Sequence, residues 1–163
     1  MSAGEEEMNR AVTHVPPGEG EKSLRVFGEM MTYKVTSDQT GGAYSLFEVE
    51  TPPGGGPPLH VQHREDEAFW VLEGEYEFLG REQTLRAVAG SLVYVPKGTL
   101  HAHVNRGEGP ARMLVSQTPG GSHERFFEEV EEADGAGIPE LAADYGIEIA
   151  LPKGGERSEE EPG

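Results

Sequence analysis

The sequence predicts an all-β domain, built as a sandwich or barrel of short antiparallel strands and followed by one or two short helices. The first observation behind this prediction is the distribution of 23 glycines and 12 prolines, which fall mostly between short apolar stretches. Turn residues at such intervals are typical of many short strands joined by tight turns. The second is a change from strand spacing to helical spacing of the apolar residues after Pro119-Gly120-Gly121.

Ten apolar stretches are candidate strands, each bounded by turn signals such as Gly41-Gly42 or Pro96-Lys97-Gly98. In chain order they cover residues 24–27, 30–36, 43–51, 59–63, 67–73, 75–79, 84–88, 91–95, 101–105 and 112–117. Regularly spaced short strands with such turns favour a sandwich or barrel over a parallel sheet.

The stretch 67–73 is apolar on both faces. Glu67, Phe69 and Val71 share one face of a strand, because successive side chains alternate. The opposite face is formed by the alternate residues, which are Ala68, Trp70 and Leu72. One face can fill the interior of the barrel. The other needs cover, either from another segment of this chain or from a second subunit in a homodimer.

One or two short helices are predicted after the strands. Ser122 is a favourable N-cap, and Glu124 in the first turn suits the positive end of the helix dipole. The apolar positions that follow have helical spacing: Phe126, Phe127 and Val130. A second helix is expected to start at Pro139 and to stop at Gly146. Both helices are expected to pack on the outside of the barrel.

Both ends of the chain are acidic and poor in core-forming residues. Residues 1–21 are therefore predicted to be a flexible acidic segment, residues 22–152 the folded domain and residues 153–163 a disordered tail. At 163 residues the chain suits one domain. The first residues have neither a basic flank nor an apolar stretch, so no secretory signal is expected.

Composition excludes several classes of function. A formal net charge of −17 disfavours nucleic acid and anionic membrane surfaces as partners. No apolar run approaches the roughly 18 residues of a membrane span. The chain has no cysteine, which excludes disulfides, thiolate metal sites and cysteine nucleophiles and is compatible with a cytoplasmic location. Any metal ligands must be histidine, carboxylate or amide groups.

Four of the six histidines lie in two strand-like segments, His60 and His63 in the first, His101 and His103 in the second. On a strand, His60 and Gln62 point to one face and His63 to the other, whereas His101 and His103 share a face. Taken alone, His60 or His101 is more often a hydrogen-bonded pocket residue than a ligand, but their joint placement with Glu67 makes that interpretation weaker. His63 is expected at an exposed turn and His103 in a pocket rather than at a metal.

Acidic residues surround the first histidine segment. Glu67 stands ahead of Phe69 and Val71, where a buried carboxylate is costly unless a cation or a donor meets it. Glu65 and Asp66 are expected to be solvated turn residues. The remaining histidines, His14 and His123, carry no functional signal.

The first histidine segment resembles the first sequence motif of the cupin superfamily. In that motif a glycine is followed at fixed spacing by two histidines, a glutamate and a second glycine. This chain has Gly54, His60, Glu67 and Gly74 at those positions, with Gln62 in place of the second histidine.

The second histidine segment is similar to the second motif of the same superfamily. Every fixed position of that motif is present, as Gly90, Pro96, Gly98, His101 and Asn105. Beyond the motifs, residues 24–152 resemble small single-domain cupins described as quercetin 2,3-dioxygenase-like, notably in the stretches 40–45, 65–69 and 118–121.

The resemblance implies a jelly-roll-like antiparallel β-barrel with one divalent metal ion inside. The implied ligands are His60, the Gln62 position, Glu67 and His101; iron, manganese, nickel, cobalt and zinc all suit such donors. Gln62 leaves the outcome open. Gln62 could bind the metal directly or through water. His103 could replace it as a ligand, and so could His63 if a β-bulge turned its side chain inward. Alternatively, metal binding could be lost.

The resemblance also implies a function, a metal-dependent dioxygenase-type oxidoreductase acting on a small organic, even aromatic, substrate. Glu67 would serve as ligand and proton acceptor, and Phe47, Phe69, Val71 and His103 would line the substrate pocket. Two alternatives remain: a non-catalytic module that binds a small ligand, and a metal-assisted isomerase or lyase. Fold alone does not choose among them.

Overall fold

The computed structural model describes residues 11–132 and 137–150. Over these residues the prediction of an all-β antiparallel domain with short helices is confirmed. The predicted acidic tail at 153–163 lies outside the described residues, and the predicted N-terminal segment is described only from residue 11. No helix in the described ranges is long and apolar enough to cross a bilayer.

The strands form two antiparallel sheets. The first has six strands in the spatial order β1 (Ser23–Val26), β2 (Glu29–Val35), β3 (Ser45–Thr51), β10 (Ala111–Thr118), β5 (Asp66–Glu73) and β8 (Leu92–Val95). The second has five, in the order β11 (Ile147–Ile149), β4 (His60–Gln62), β9 (Leu100–Asn105), β6 (Glu75–Leu79) and β7 (Thr84–Val88). Strand pairing does not join the two sheets within the described ranges, so the predicted barrel is a two-sheeted one and not a continuous closed sheet.

Within residues 11–132 and 137–150, three helices accompany the sheets: α1 (Ser37–Thr40), α2 (Ser122–Glu132) and α3 (Ile138–Asp144). The helices after the last long strand are where the sequence predicts them, and Gly146 follows α3 with a positive φ of 74°. Sequence spacing missed α1 and β11, because one helical turn and a three-residue strand are too short to show a period.

The sequence predicted that helix α2 packs on the outside of the barrel. In the structure this helix also contributes side chains to the interior. Phe126 and Phe127 are buried and reach the interior cavity. Glu124 anchors the start of the helix, because its carboxylate accepts hydrogen bonds from the backbone N–H and hydroxyl of Ser37 and from the hydroxyl of Ser45, at 2.7, 2.9 and 2.8 Å. The helix therefore closes one part of the space between the sheets.

Strand β5 has one buried and one exposed face. Glu67, Phe69 and Val71 face the interior at 4, 3 and 0% exposure. On the outer face Trp70 is 55% and Leu72 37% exposed, so no described segment of this chain covers them. The sequence left two explanations for this apolar face: cover by another segment of the chain, or cover by a second subunit. Residues 11–132 and 137–150 provide no such segment.

The register of the sheets brings the histidine segments together. His60 on β4 is the direct partner of His101 on β9. Glu67 lies on β5 in the other sheet, where it is paired with Gln117 of β10. Because inward side chains of two facing sheets meet in the space between them, the imidazoles and the carboxylate approach one another there.

Candidate metal centre and its cavity

Three buried side chains, His60, Glu67 and His101, converge between the sheets. Each offers one ligand atom, and these atoms all lie within 4.8 Å of one another. The residues come from β4, β5 and β9 and are 8, 4 and 4% exposed. Two imidazoles and one carboxylate at such separations could hold a divalent metal ion.

Backbone carbonyl groups orient both imidazole rings. His60 donates from Nδ1 to the carbonyl oxygen of Pro58 at 2.8 Å, and His101 donates from Nδ1 to that of Thr99 at 2.9 Å. Each ring therefore turns its Nε2 toward the centre of the cluster. Metal-binding histidines are usually held in this way, with the second nitrogen bonded to a carbonyl or carboxylate.

Glu67 is held by donors on both oxygens. Its Oε1 lies 3.0 Å from His101 Nε2, and its Oε2 accepts a hydrogen bond from Gln117 Nε2 at 3.0 Å. Burial raises the pKa of Glu67, but the hydrogen bond from His101 and the neighbouring imidazoles outweigh burial and lower it to about 2. Glu67 is thus a buried anion, which a cation can stabilise.

The pKa values of the two imidazoles are shifted in opposite directions. Burial, and then the nearby charge of His101, lower the pKa of His60 to about 4. Burial also disfavours protonated His101, but the hydrogen bond and charge of Glu67 outweigh it and raise the pKa of His101. His101 Nε2 and Glu67 Oε1 share a hydrogen bond, so a metal ion held by both residues would have to displace its proton.

Gln62 lies beside the triad, 5% exposed. Its Nε2 donates to His60 Nε2 over 3.3 Å, while its Oε1 is buried without a partner. A half-turn of the amide exchanges these two atoms and presents the oxygen to the same point. The residues present therefore fit a metal ion, with Gln62 as a nearby oxygen donor.

The other two candidate histidines are not part of the cluster. His63 is exposed, and its Nε2 lies 3.3 Å from Glu148 on β11. His103 is buried and points into the cavity wall, where its Nε2 lies 2.8 Å from Glu29 Oε2. Neither one stands in for the histidine that Gln62 replaces.

The triad opens onto an interior cavity that encloses about 640 Å³, including the part open to solvent. Of the predicted pocket residues, Phe47, Phe69 and His103 line it. Val71 does not, because it packs in the core farther along β5, opposite Met113. The remaining walls are mostly apolar and include Met31, Val49, Val115, Phe126 and Phe127.

The expectation of a solvated Glu65 is wrong. Glu65 is 2% exposed, and burial, with the charge of Glu67 next, raises its pKa to about 7. Its Oε1 lies 3.5 Å from Nδ1 of His123, a buried residue on α2 whose burial lowers its pKa to about 4. Asp66 accepts a hydrogen bond from the backbone N–H of Lys97 at 2.9 Å.

Sequence reasoning missed several polar residues at the site, namely Glu29, Glu65, Gln117 and His123. A signal existed only for His123, which shares helical spacing with the buried pair Phe126 and Phe127. The other three are polar residues at strand ends or within alternating strands, where sequence alone does not tell an inward from an outward position.

Comparison with known proteins places the motifs in a family. A profile described as Cupin domain matches residues 47–116, which run from Phe47 in β3 to Ser116 in β10. The chain is 30% identical over 84 residues to an uncharacterised protein of Methanocaldococcus jannaschii, a match that covers 52% of this chain and 67% of that protein.

Plant proteins are also similar. The chain is 32% identical over 77 residues to germin-like protein 1-1 of Oryza sativa subsp. japonica, which covers 44% of this chain. The match spans 36% of the germin-like protein, so this chain corresponds to about a third of that relative.

Among solved structures, a sugar phosphate isomerase of the cupin superfamily from Silicibacter pomeroyi superposes with a TM-score of 0.50. It is 27% identical and the match covers 56% of this chain and 59% of that one.

Proposed function

Because this chain belongs to the cupin superfamily, we propose that it is a metal-dependent, oxygenase-type enzyme acting on a small organic molecule held in its cavity. The observation that carries this proposal is the convergence of His60, Glu67 and His101 on one point. Two imidazoles and one carboxylate on one side of an ion are the set used by non-haem iron oxygenases, which leaves positions open for substrate and oxygen.

Hydrogen bonds within the chain already orient the three side chains that would bind the metal. His60 and His101 present Nε2 because their Nδ1 atoms are bonded to backbone carbonyls, and Gln117 holds Glu67. Manganese, iron, cobalt, nickel or zinc would suit these donors. A bound divalent ion supplies Lewis acidity and, where it is redox-active, one-electron chemistry with oxygen.

The cavity supports a small organic substrate with an apolar body. Phe47 and Phe69 line it next to the triad, and Phe126 and Phe127 of α2 close it. A mostly apolar and aromatic lining with a few convergent polar groups is typical of sites that bind small molecules. Apolar walls also exclude water, which strengthens electrostatic interactions at the triad.

Glu67 is first of all a ligand. While His101 and Gln117 both donate to it, its pKa of about 2 makes it a weak proton acceptor. It would accept a proton from the substrate only after the donation from His101 is withdrawn. The role of Glu67 as catalytic base is therefore proposed for the substrate-bound state alone.

Oxygen consumption tests the proposed function. Protein supplied with each of the five metals at neutral pH is mixed with a panel of phenolic and other small aromatic compounds in an oxygen electrode. We expect uptake that requires metal, disappears in His101→Ala and persists in the matched exposed variant His63→Ala. A chain that takes up no metal from any of these solutions would reject the proposal.

Metal binding without oxygen uptake would instead favour an isomerase or lyase, the kind of activity named for the sugar phosphate isomerase with a similar fold.

A specific contact favours a second candidate, a non-catalytic module that binds a small ligand. Gln62 donates to Nε2 of His60, the atom that a metal would need. That candidate predicts thermal stabilisation by the ligand without any metal.

A further inference from the structure

A second polar cluster lies in the protein interior, apart from the triad. His103 Nε2 is 2.8 Å from Glu29 Oε2, and the hydroxyl of Thr51 donates to the same oxygen at 2.5 Å. Tyr76 is 2.8 Å from Thr51 and, because the Thr51 hydrogen is used toward Glu29, donates to it. Glu29 is fully buried and His103 is 7% exposed.

This cluster has unpaired atoms although it is buried. Glu29 Oε1 and His103 Nδ1 have no hydrogen-bond partner among the described residues, and both residues line the cavity. The carboxylate accepts from His103 Nε2, so in the neutral ring the hydrogen is on Nε2 and Nδ1 is an acceptor. A buried acceptor without a partner costs free energy that a suitable ligand restores.

The cluster lies at a distance from the triad that a small molecule can bridge. His103 is two residues beyond His101 on the same face of β9, a separation of roughly 6–7 Å along a strand. The ring of Phe69 lies close to both centres, with its centroid 6.1 Å from that of His101 and 5.9 Å from that of His103. The two polar centres therefore adjoin one apolar surface in the same cavity.

We propose that Glu29 and His103 form a recognition centre for an uncharged hydroxyl group of the ligand, at the end of the ligand remote from the triad. Both unpaired atoms are acceptors, so they need a hydrogen donor. The donors of Thr51 and Tyr76 are already used within the cluster. The carboxylate of Glu29 repels a carboxylate or phosphate. This inference rests on the proposed function only in taking the same cavity as the binding site.

The test compares phenol, anisole and benzoate as probes of the full-length protein, both as purified and after treatment with a chelator. Phenol and anisole share an apolar ring, but only phenol donates a hydrogen bond, while benzoate is an anion. We expect phenol to bind about tenfold more tightly than anisole and benzoate to bind most weakly, as measured by NMR titration. Phenol should also shift the ¹⁵N resonance of His103 Nδ1.

Variants locate the effect. In His103→Phe, whose ring can still pack against Phe69, the preference for phenol over anisole should fall well below the wild-type value, because one of the two acceptors is gone. In Glu29→Gln, which keeps the size of the side chain, benzoate should lose most of its disadvantage. The exposed replacement His63→Phe should leave all three affinities unchanged.

Equal affinities for phenol and anisole in the wild-type chain, with no shift of His103 Nδ1, would overturn the recognition centre even if a variant failed to fold. Phenol that shifts only His60 and His101 would overturn it as well, since the hydroxyl would then be at the triad. The chelator-treated arm needs no metal, so a failure of the proposed metal chemistry leaves this result interpretable on its own.

Discussion

At the scale of single residues, Gln62 is where this chain departs from the motif it otherwise follows. The structure places Gln62 next to His60 with an unpaired amide oxygen, and brings in no other histidine. The amide oxygen is a harder and weaker ligand than an imidazole nitrogen for first-row metals. The site is therefore built around two imidazoles, and a third should strengthen it.

Gln62→His is expected to raise the affinity for zinc or cobalt by at least about tenfold, which corresponds to about 1.4 kcal/mol. The new imidazole would share the face of His60 and end the donation from Gln62 to Nε2. Competition with a chromogenic chelator measures the change, and His63→Gln is the matched control. An unchanged or weaker affinity would show that position 62 is not directed at the metal.

Glu65 makes stability depend on pH. Its pKa is raised from 4.5 to about 7 in the folded protein, so the folded state binds its proton more tightly than the unfolded state does. The contribution of Glu65 to the free energy of unfolding is therefore fully present below pH 4.5 and is lost as pH rises through 7. Glu65→Gln removes the dependence and is expected to stabilise the protein by about 1–2 kcal/mol at pH 8.

Urea unfolding at pH 4.5 and pH 8 measures this effect. The gain of Glu65→Gln over wild type should shrink toward zero at the lower pH. Asp66→Asn, next in the chain and partly exposed, serves as the control for removing a charge. A gain that is the same at both pH values would contradict the account of Glu65.

At the scale of elements, close contact between the loop before β4 and strand β9 supports the ligands. Asn105 at the end of β9 donates to the carbonyl oxygens of Thr51 and Gly109, and its own backbone exchanges hydrogen bonds with Gly54 and Gly55. These contacts hold the chain that leads into His60 against the strand that carries His101.

Gly56 is the crowded position of this loop. A Cβ there would lie 2.0 Å from the carbonyl oxygen of His103, and φ is 143°. Gly54 also has a positive φ, of 76°, but has no atom within 4 Å of an added Cβ. Gly56→Ala is expected to cost about 3 kcal/mol or more in urea unfolding, and Gly54→Ala about 1 kcal/mol. Equal costs would mean that the loop does not pack against β9 as described.

The elements show what sequence can and cannot predict. Turn residues and alternation predicted the long strands, because each of these signals is local. The strand β11 was missed because its three residues are held by pairing with β4, far away in the chain. Glu29 and Glu65 were missed as site residues because their burial depends on contacts between elements, which no local pattern records.

The motif positions were predictable for a related reason. His60, Glu67 and His101 were identified by their fixed spacing and by resemblance, and the structure brings all three together. Spacing does not say which residues will bond to them. Gln117, which holds Glu67, and the carbonyls of Pro58 and Thr99 became evident only once the register of the sheets was known.

At the scale of the whole molecule, one sheet carries an exposed apolar patch. Trp70 and Leu92 are direct strand partners on β5 and β8, 55 and 68% exposed, and Tyr94 beside them is 60% exposed. Strand β8 is also the edge of its sheet. Exposed apolar surface next to an open edge is typical of an interface.

We expect two copies of the chain to associate through this patch. Light scattering coupled to size exclusion should give a dimer for the wild-type chain and a monomer for Trp70→Glu, since a charge there would be buried in the interface. Arg86→Glu, on the exposed strand β7 of the other sheet, is a control that should remain dimeric. A monomeric wild-type chain would contradict this prediction.

The central claim is that His60, Glu67 and His101 together hold one metal ion. Metal analysis of the purified chain, before and after supplementation with divalent metals at neutral pH, tests it most directly when run beside His60→Ala, Glu67→Ala, His101→Ala and the control His63→Ala. The account predicts about one ion per chain in the wild type and in the control, and a loss of the ion in each of the other three. A wild-type chain without metal, or a His101→Ala chain that keeps it, would contradict the claim.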